Sequence, residues 1–133
     1  MPVPSTLNWF HPSEFNHPEL VSTRAVELLD SIRGIYGLPI TVTDDARIIG
    51  QELPPGASGK SLHFLGQAFD IRIRDWSWEE LWHFVYVVQM VASKLPAHEA
   101  GVELEIVWSS TDKHAHVGFF FDERPSRLII KAE

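Results

Sequence analysis

A chain of 133 residues, 44% hydrophobic and 22% charged, has the size and balance expected of one folded domain spanning 1–133, which argues against a disordered chain. A formal charge of −7 and a pI near 5.4 give no support to phosphate-backbone binding, which needs clustered Lys and Arg, so no nucleic-acid partner is expected. With no cysteine, any metal must be held by nitrogen and oxygen, and seven histidines are present to supply ligands.

The opening Met1-Pro2-Val3-Pro4-Ser5-Thr6 lacks the basic and apolar regions of a secretory signal. The longest apolar run, Phe84 to Ala92, is interrupted by Gln89 and is too short to span a bilayer. The chain is therefore expected to be cytoplasmic at synthesis, with no membrane partner, and to be a monomer.

Residues 7–17 read as an opening loop with a short helical turn. A first helix is predicted from Pro18, suited to the first helical position, with Glu19 near the positive end of the helix dipole. Val21, Ala25, Leu28, Leu29, Ile32 and Ile35 form its core stripe, and Gly37 ends it. A short strand over 39–43 follows, with Ile40 and Val42 on one face. Residues 44–62 read as a long glycine- and proline-rich loop, a length that inside a compact domain points to function.

That loop leads into Ser61-Leu62-His63-Phe64-Leu65-Gly66-Gln67-Ala68-Phe69-Asp70-Ile71. From Ala68 to Ile73 the residues alternate: Phe69, Ile71 and Ile73 on one side, Ala68, Asp70 and Arg72 on the other. Helix two is predicted from Ser77, with Glu80 completing a capping box, to about Lys94 before Pro96. Its predicted buried stripe is Leu81, Trp82, Val85, Val88, Val91, Ala92 and Leu95. Strands over 104–108 and 114–121 form a hairpin through Ser109–Lys113. In the first, Leu104, Ile106 and Trp108 alternate with Glu103, Glu105 and Val107. In the second, Ala115, Val117, Phe119 and Phe121 alternate with His114, His116, Gly118 and Phe120. Leu128 to Ile130 read as an edge strand, and the five tryptophans mainly as core, with a border of the cleft the alternative for Trp108.

Two separate strands thus carry apolar residues on one face and potential ligands on the other. In one antiparallel sheet packed on the two helices, Asp70, His114 and His116 all project from the open face, and His63 can swing over the same spot. The expected fold is α+β: a small antiparallel sheet with helices on one face and a zinc site on the open face. His63, Asp70 and His116 are expected to meet around one zinc ion. Two His and one Asp leave a tetrahedral zinc with a free position, the pattern of catalytic sites. A nearby carboxylate should accept a proton from water and pass it to the leaving amine.

These residues resemble the D-alanyl-D-alanine carboxypeptidase-like zinc peptidases, within the group that includes lysostaphin-type enzymes and the hedgehog amino-terminal domain. Ser61, His63, Gly66, Ala68 and Asp70 match that family's Ser-x-His-x-x-Gly-x-Ala-x-Asp, and His114-Ala115-His116 matches its later His-x-His. Ser13-Glu14-Phe15 and the segment Arg33 to Ile40 resemble one branch, so the likeness spans roughly residues 9–120. The resemblance implies zinc at His63, Asp70 and His116. It gives Arg47 the role of binding substrate or polarising its carbonyl. It gives His114 that of stabilising the tetrahedral intermediate or orienting the water. The implied reaction is amide hydrolysis in peptidoglycan stem or cross-link peptides, by a phage-type enzyme released to the cell wall.

Two departures stand out. Asp44-Asp45-Ala46 replaces the Ser-Gly-Tyr that precedes the branch's Arg, and Lys113 stands where members commonly carry an acidic base. Asp112 is the first choice for that base, and Glu105, on the face of His116, the second. The competing expectations are a zinc-binding module of the same fold that lacks turnover and acts in recognition or phage assembly, and a zinc-free structural domain.

Overall fold

Among the described residues, two α-helices and five strands assemble into an α+β fold in two layers, with helices α1 (Thr23–Tyr36) and α2 (Trp78–Ser93) covering one face of a sheet. The structure is a computed structural model that describes residues 7–45 and 62–132, apart from the side chains of His63 and Phe64. The strands are β1 (Val42–Asp44), β2 (Ala68–Arg72), β3 (Gly101–Trp108), β4 (Lys113–Phe120) and β5 (Arg127–Ala132), in the order β1-β2-β4-β3-β5. The β1–β2, β2–β4 and β3–β4 pairs are antiparallel, but β5 runs parallel to β3. The sheet is therefore mixed rather than antiparallel throughout. Phe120, ending β4, pairs with Gly101, which opens β3, so residues 121–126 cross the end of β3 to reach its free side. A chain that crosses in this way must enter β5 in the direction of β3.

Helix α1 starts at Thr23, five residues after the predicted Pro18. The reason is that the intervening donors are committed elsewhere. The His17 N–H donates to Asp45 Oδ2 at 3.1 Å, the Leu20 N–H to the His17 carbonyl at 2.9 Å, and the Ser22 N–H to the Gly66 carbonyl at 2.7 Å. Ser22 then caps the helix by accepting from the Ala25 N–H. Gly37 ends it as expected, in the left-handed region at φ 81° with its N–H on the Arg33 carbonyl. Ala25, Leu29 and Ile32 are buried as predicted, whereas Ile35 is exposed and Tyr36 takes the core position.

Helix α2 has the predicted capping box: Ser77 Oγ accepts from the Glu80 N–H at 3.1 Å, and Glu80 Oε1 accepts from the Ser77 N–H at 2.9 Å. Its buried stripe is Leu81, Phe84, Val85, Val87, Val88 and Val91. Trp82, predicted to lie in that stripe, is 49% exposed and faces Trp78 instead. Against the helices the sheet presents Phe69, Ile71, Val102, Leu104, Ile106, Ala115, Val117 and Phe119, all buried.

One buried charge organises the start of the chain. Asp30 on α1 is 5% exposed, and its carboxylate accepts the backbone N–H groups of Asn8, Trp9 and Phe10 at 3.1, 2.9 and 2.9 Å. These charge-assisted bonds hold the opening loop, with its 3-10 turn Pro12–Glu14, against the helix. Among the described residues, no helix is long and apolar enough to cross a membrane.

Candidate functional site

The alternation in β2 and β4 places the candidate ligands. Phe69 and Ile71 face the helices at 0% exposure, so Asp70 must face the other way. Ala115 and Val117 do the same in β4 and turn His114 and His116 outward. Antiparallel pairing then brings the two sets side by side. Asp70 lies opposite His116, His116 opposite Glu105, and Asp44 opposite Asp70, forming one row across four strands. A second row, toward the hairpin, holds Arg72, His114 and Val107, and a third holds Ala68, Gly118 and Glu103.

Within the first row, His116 Nδ1 lies 3.2 Å from Asp70 Oδ1. Both side chains are mostly covered, at 18% and 23% exposure. Two ligands on a tetrahedral zinc, each about 2.0–2.1 Å from the metal, stand roughly 3.3–3.4 Å apart. The Asp70–His116 contact is a hydrogen bond in this structure, and its length is close to the separation of two adjacent zinc ligands, for which a nitrogen and an oxygen donor are suited.

The motif's small residues explain how His63 is delivered to this neighbourhood. His63 lies on a 3-10 turn, Leu62–Leu65, that folds back onto the open face. Leu62 is buried there with Ala68 and Phe120, and its Cδ1 would lie 2.6 Å from a Cβ added at Gly118. Ala68 and Gly118 oppose each other across β2 and β4, and a larger pair would lift the turn off the sheet. Gly66 closes the turn at φ 67°, and its Cα packs onto the backbone of Leu20 and Val21 so closely that no Cβ fits. Ser61 and Arg47, and the His63 side chain, lie outside the described residues. Among the described residues no three His, Asp or Glu side chains are grouped to hold a metal, a set that leaves out the His63 imidazole.

The remaining candidates divide into two places. Asp112 and His114 form a pair at the hairpin, with Asp112 Oδ1 2.9 Å from His114 Nδ1. The turn that holds them is tied by Ser109, whose Oγ accepts from the Asp112 N–H at 3.0 Å. Glu105 faces His116 across the strands and is engaged by Lys131 Nζ at 3.1 Å. Lys113 Nζ sits 4.3 Å from the centre of the Trp108 ring, which in turn lies 4.6 Å from Trp78. Trp108 thus packs against the edge of the helix-covered core, beside Trp78 of α2, and also carries Lys113 of the hairpin.

Sequence reasoning passed over Glu103. Its Oε1 lies 3.8 Å from His116 Nε2 and 2.8 Å from Arg127 Nη2. The signal was available in part, because Glu103 shares strand parity with Glu105. What the sequence lacked was the register that brings it diagonal to His116 and the strand that supplies Arg127. Comparison of the chain with protein-family models, with curated proteins and with solved structures returned no match.

Proposed function

We propose that this chain is a zinc-dependent hydrolase acting on an amide bond in the stem or cross-link peptides of peptidoglycan, and that the cell wall is where it works. The observation that carries the reading is the Asp70–His116 apposition at 3.2 Å, two strand positions from Ala68 and Gly118, against which packs a turn whose sequence matches the zinc motif around His63. His63, Asp70 and His116 are the residues that would hold one zinc ion. Zinc bound there would supply a Lewis acid that activates water and polarises the scissile carbonyl.

The chain's own residues divide the remaining work. Asp112, hydrogen-bonded to His114, forms a carboxylate–imidazole pair able to accept a proton from water and return it to the departing amine. His114, two strand positions from His116 on the same face, is suited to stabilise the developing oxyanion or to orient the water. Glu105 is the second carboxylate on that face, and Arg47 is assigned to substrate binding by the resemblance alone.

The test has two stages. Purified protein should carry about one zinc per chain and lose it in the His63→Ala variant; protein free of zinc whose behaviour is unchanged by that substitution would overturn the reading. The zinc form should then release amino groups from purified peptidoglycan, and a chelator should stop the release. One observation favours a second reading, a zinc-binding recognition module without turnover: Lys113, at the position of the family's acid, is engaged over Trp108. Bound zinc with no amino-group release at any pH from about 5 to 9 selects that reading.

A further inference from the structure

His116 has two ring nitrogens, and each meets a different carboxylate. Nδ1 faces Asp70 Oδ1 at 3.2 Å, while Nε2 faces Glu103 Oε1 at 3.8 Å, within ion-pair range. An imidazole that ligates a metal through one nitrogen keeps a proton on the other, and the partner of that proton fixes ring orientation and tautomer. Resting on the zinc reading above, we infer that Glu103 is a positioning residue which holds the Nε2–H of His116 and so presents Nδ1 to the metal beside Asp70.

Three features of the sheet make this contact. First, Glu103 is not directly opposite His116. That position belongs to Glu105, and Glu103 is the diagonal neighbour, opposite Gly118. Second, Gly118 leaves the diagonal open. A Cβ added there would stand 3.4 Å from His116 Nε2, so the imidazole leans over the glycine toward Glu103. Third, Glu103 is only 16% exposed and is held from outside by Arg127, whose Nη2 lies 2.8 Å from the same Oε1. Arg127 opens β5, so the parallel edge strand belongs to the site's support. A line of contacts runs Arg127, Glu103, His116, Asp70 across three strands and the edge. Glu105, directly opposite His116, is engaged by Lys131, and among the described residues Glu103 is the carboxylate that lies nearest Nε2.

The experiment measures zinc affinity by competition with a coloured chelator for the unaltered protein, Glu103→Ala and Glu103→Gln. Nitrogen-15 spectra of the His116 ring are recorded alongside in the zinc-loaded unaltered protein. Glu103→Ala should bind zinc about 10- to 100-fold more weakly, the usual range for losing such a support. Glu103→Gln keeps an amide oxygen to accept the Nε2–H and should recover most of that loss, which a merely structural role for the charge would not predict. The spectra should show zinc on Nδ1 and the proton on Nε2. Undiminished affinity in Glu103→Ala, or zinc on Nε2, overturns the inference while leaving the zinc reading intact. Failure of the unaltered protein to bind zinc removes both. Should Glu103→Ala not fold, the ring spectrum and Glu103→Gln still decide the matter, because a Gln variant that binds as weakly as an empty site also refutes it.

Discussion

Alanine at Gly66 separates two explanations for that glycine, its left-handed backbone and its close approach to a neighbouring segment. Gly37 is the natural control, since it too is left-handed, at φ 81°, but a Cβ there would meet nothing within 4 Å. Alanine in the left-handed region costs about 1–2 kcal/mol. A stiffer unfolded chain offsets about 0.4–1 kcal/mol of that. Gly37→Ala should therefore lose about 1 kcal/mol. At Gly66 the new Cβ would collide with the Leu20 carbonyl oxygen and stand 2.9 Å from Val21 Cα, backbone atoms that cannot swing aside. Overpacking of this kind adds about 1–3 kcal/mol. Gly66→Ala should then lose about 2–4 kcal/mol, a fall of roughly 10 °C in Tm for a domain of this size. Urea unfolding of both variants at a shared slope reads the difference directly. A Gly66→Ala loss no greater than that of Gly37→Ala would refute the close-approach argument, and with it the account of how the motif seats the His63 turn.

Two further outcomes are expected. Asp30→Ala should lose about 3 kcal/mol in the same unfolding assay, because it strands three backbone N–H groups, and Asp30→Asn should lose less by keeping the oxygen that serves Trp9 and Phe10; equal losses in the two variants would contradict that assignment. Burial, with the Glu80 charge second, pushes the Tyr36 phenol up from 10.0 to about 12. The native state thus retains a proton that the unfolded chain gives up, so this stability is full below pH 10 and is lost as pH rises toward 12. Stability curves of the unaltered protein and Tyr36→Phe should diverge across that window by about 2–3 kcal/mol, and parallel curves would sink the reasoning.

The parts of the fold legible in the sequence are those decided by local pattern. Phe69 and Ile71 against Asp70, and Ala115 and Val117 against His116, assigned faces because strand side chains alternate whatever the neighbouring strand. Ser77 with Glu80, and Gly37, marked helix ends because caps are satisfied within a few residues. What stayed hidden depended on distant partners. The start of α1 was displaced by Asp45 and Gly66, which take the backbone donors of His17 and Ser22. Trp82 looked like core by residue type, yet Leu81, Phe84, Val85 and Val88 already fill the helical face, and Trp82 sits to one side of it. The role of Asp30 had no local signal, because its three partners lie about twenty positions earlier in the chain. The site followed the same division. The shared face of Asp70, His114 and His116 was readable from parity, but Glu103 required the diagonal across Gly118 and the direction of β5.

The placement of β5 has a consequence for handling the protein. It is the outermost strand on its side of the sheet, six residues long, and it includes Leu128, Ile129 and Ile130. An exposed, apolar strand edge is a template on which a second chain can add. Arg127 and Lys131, which reach inward to Glu103 and Glu105, are also the cations that border this edge, at 60% and 63% exposure. The charges that support the candidate site thus double as gatekeepers against edge-to-edge association. Substituting either one to probe zinc binding also strips protection from the sheet, and variants at Glu103 test the site without that side effect.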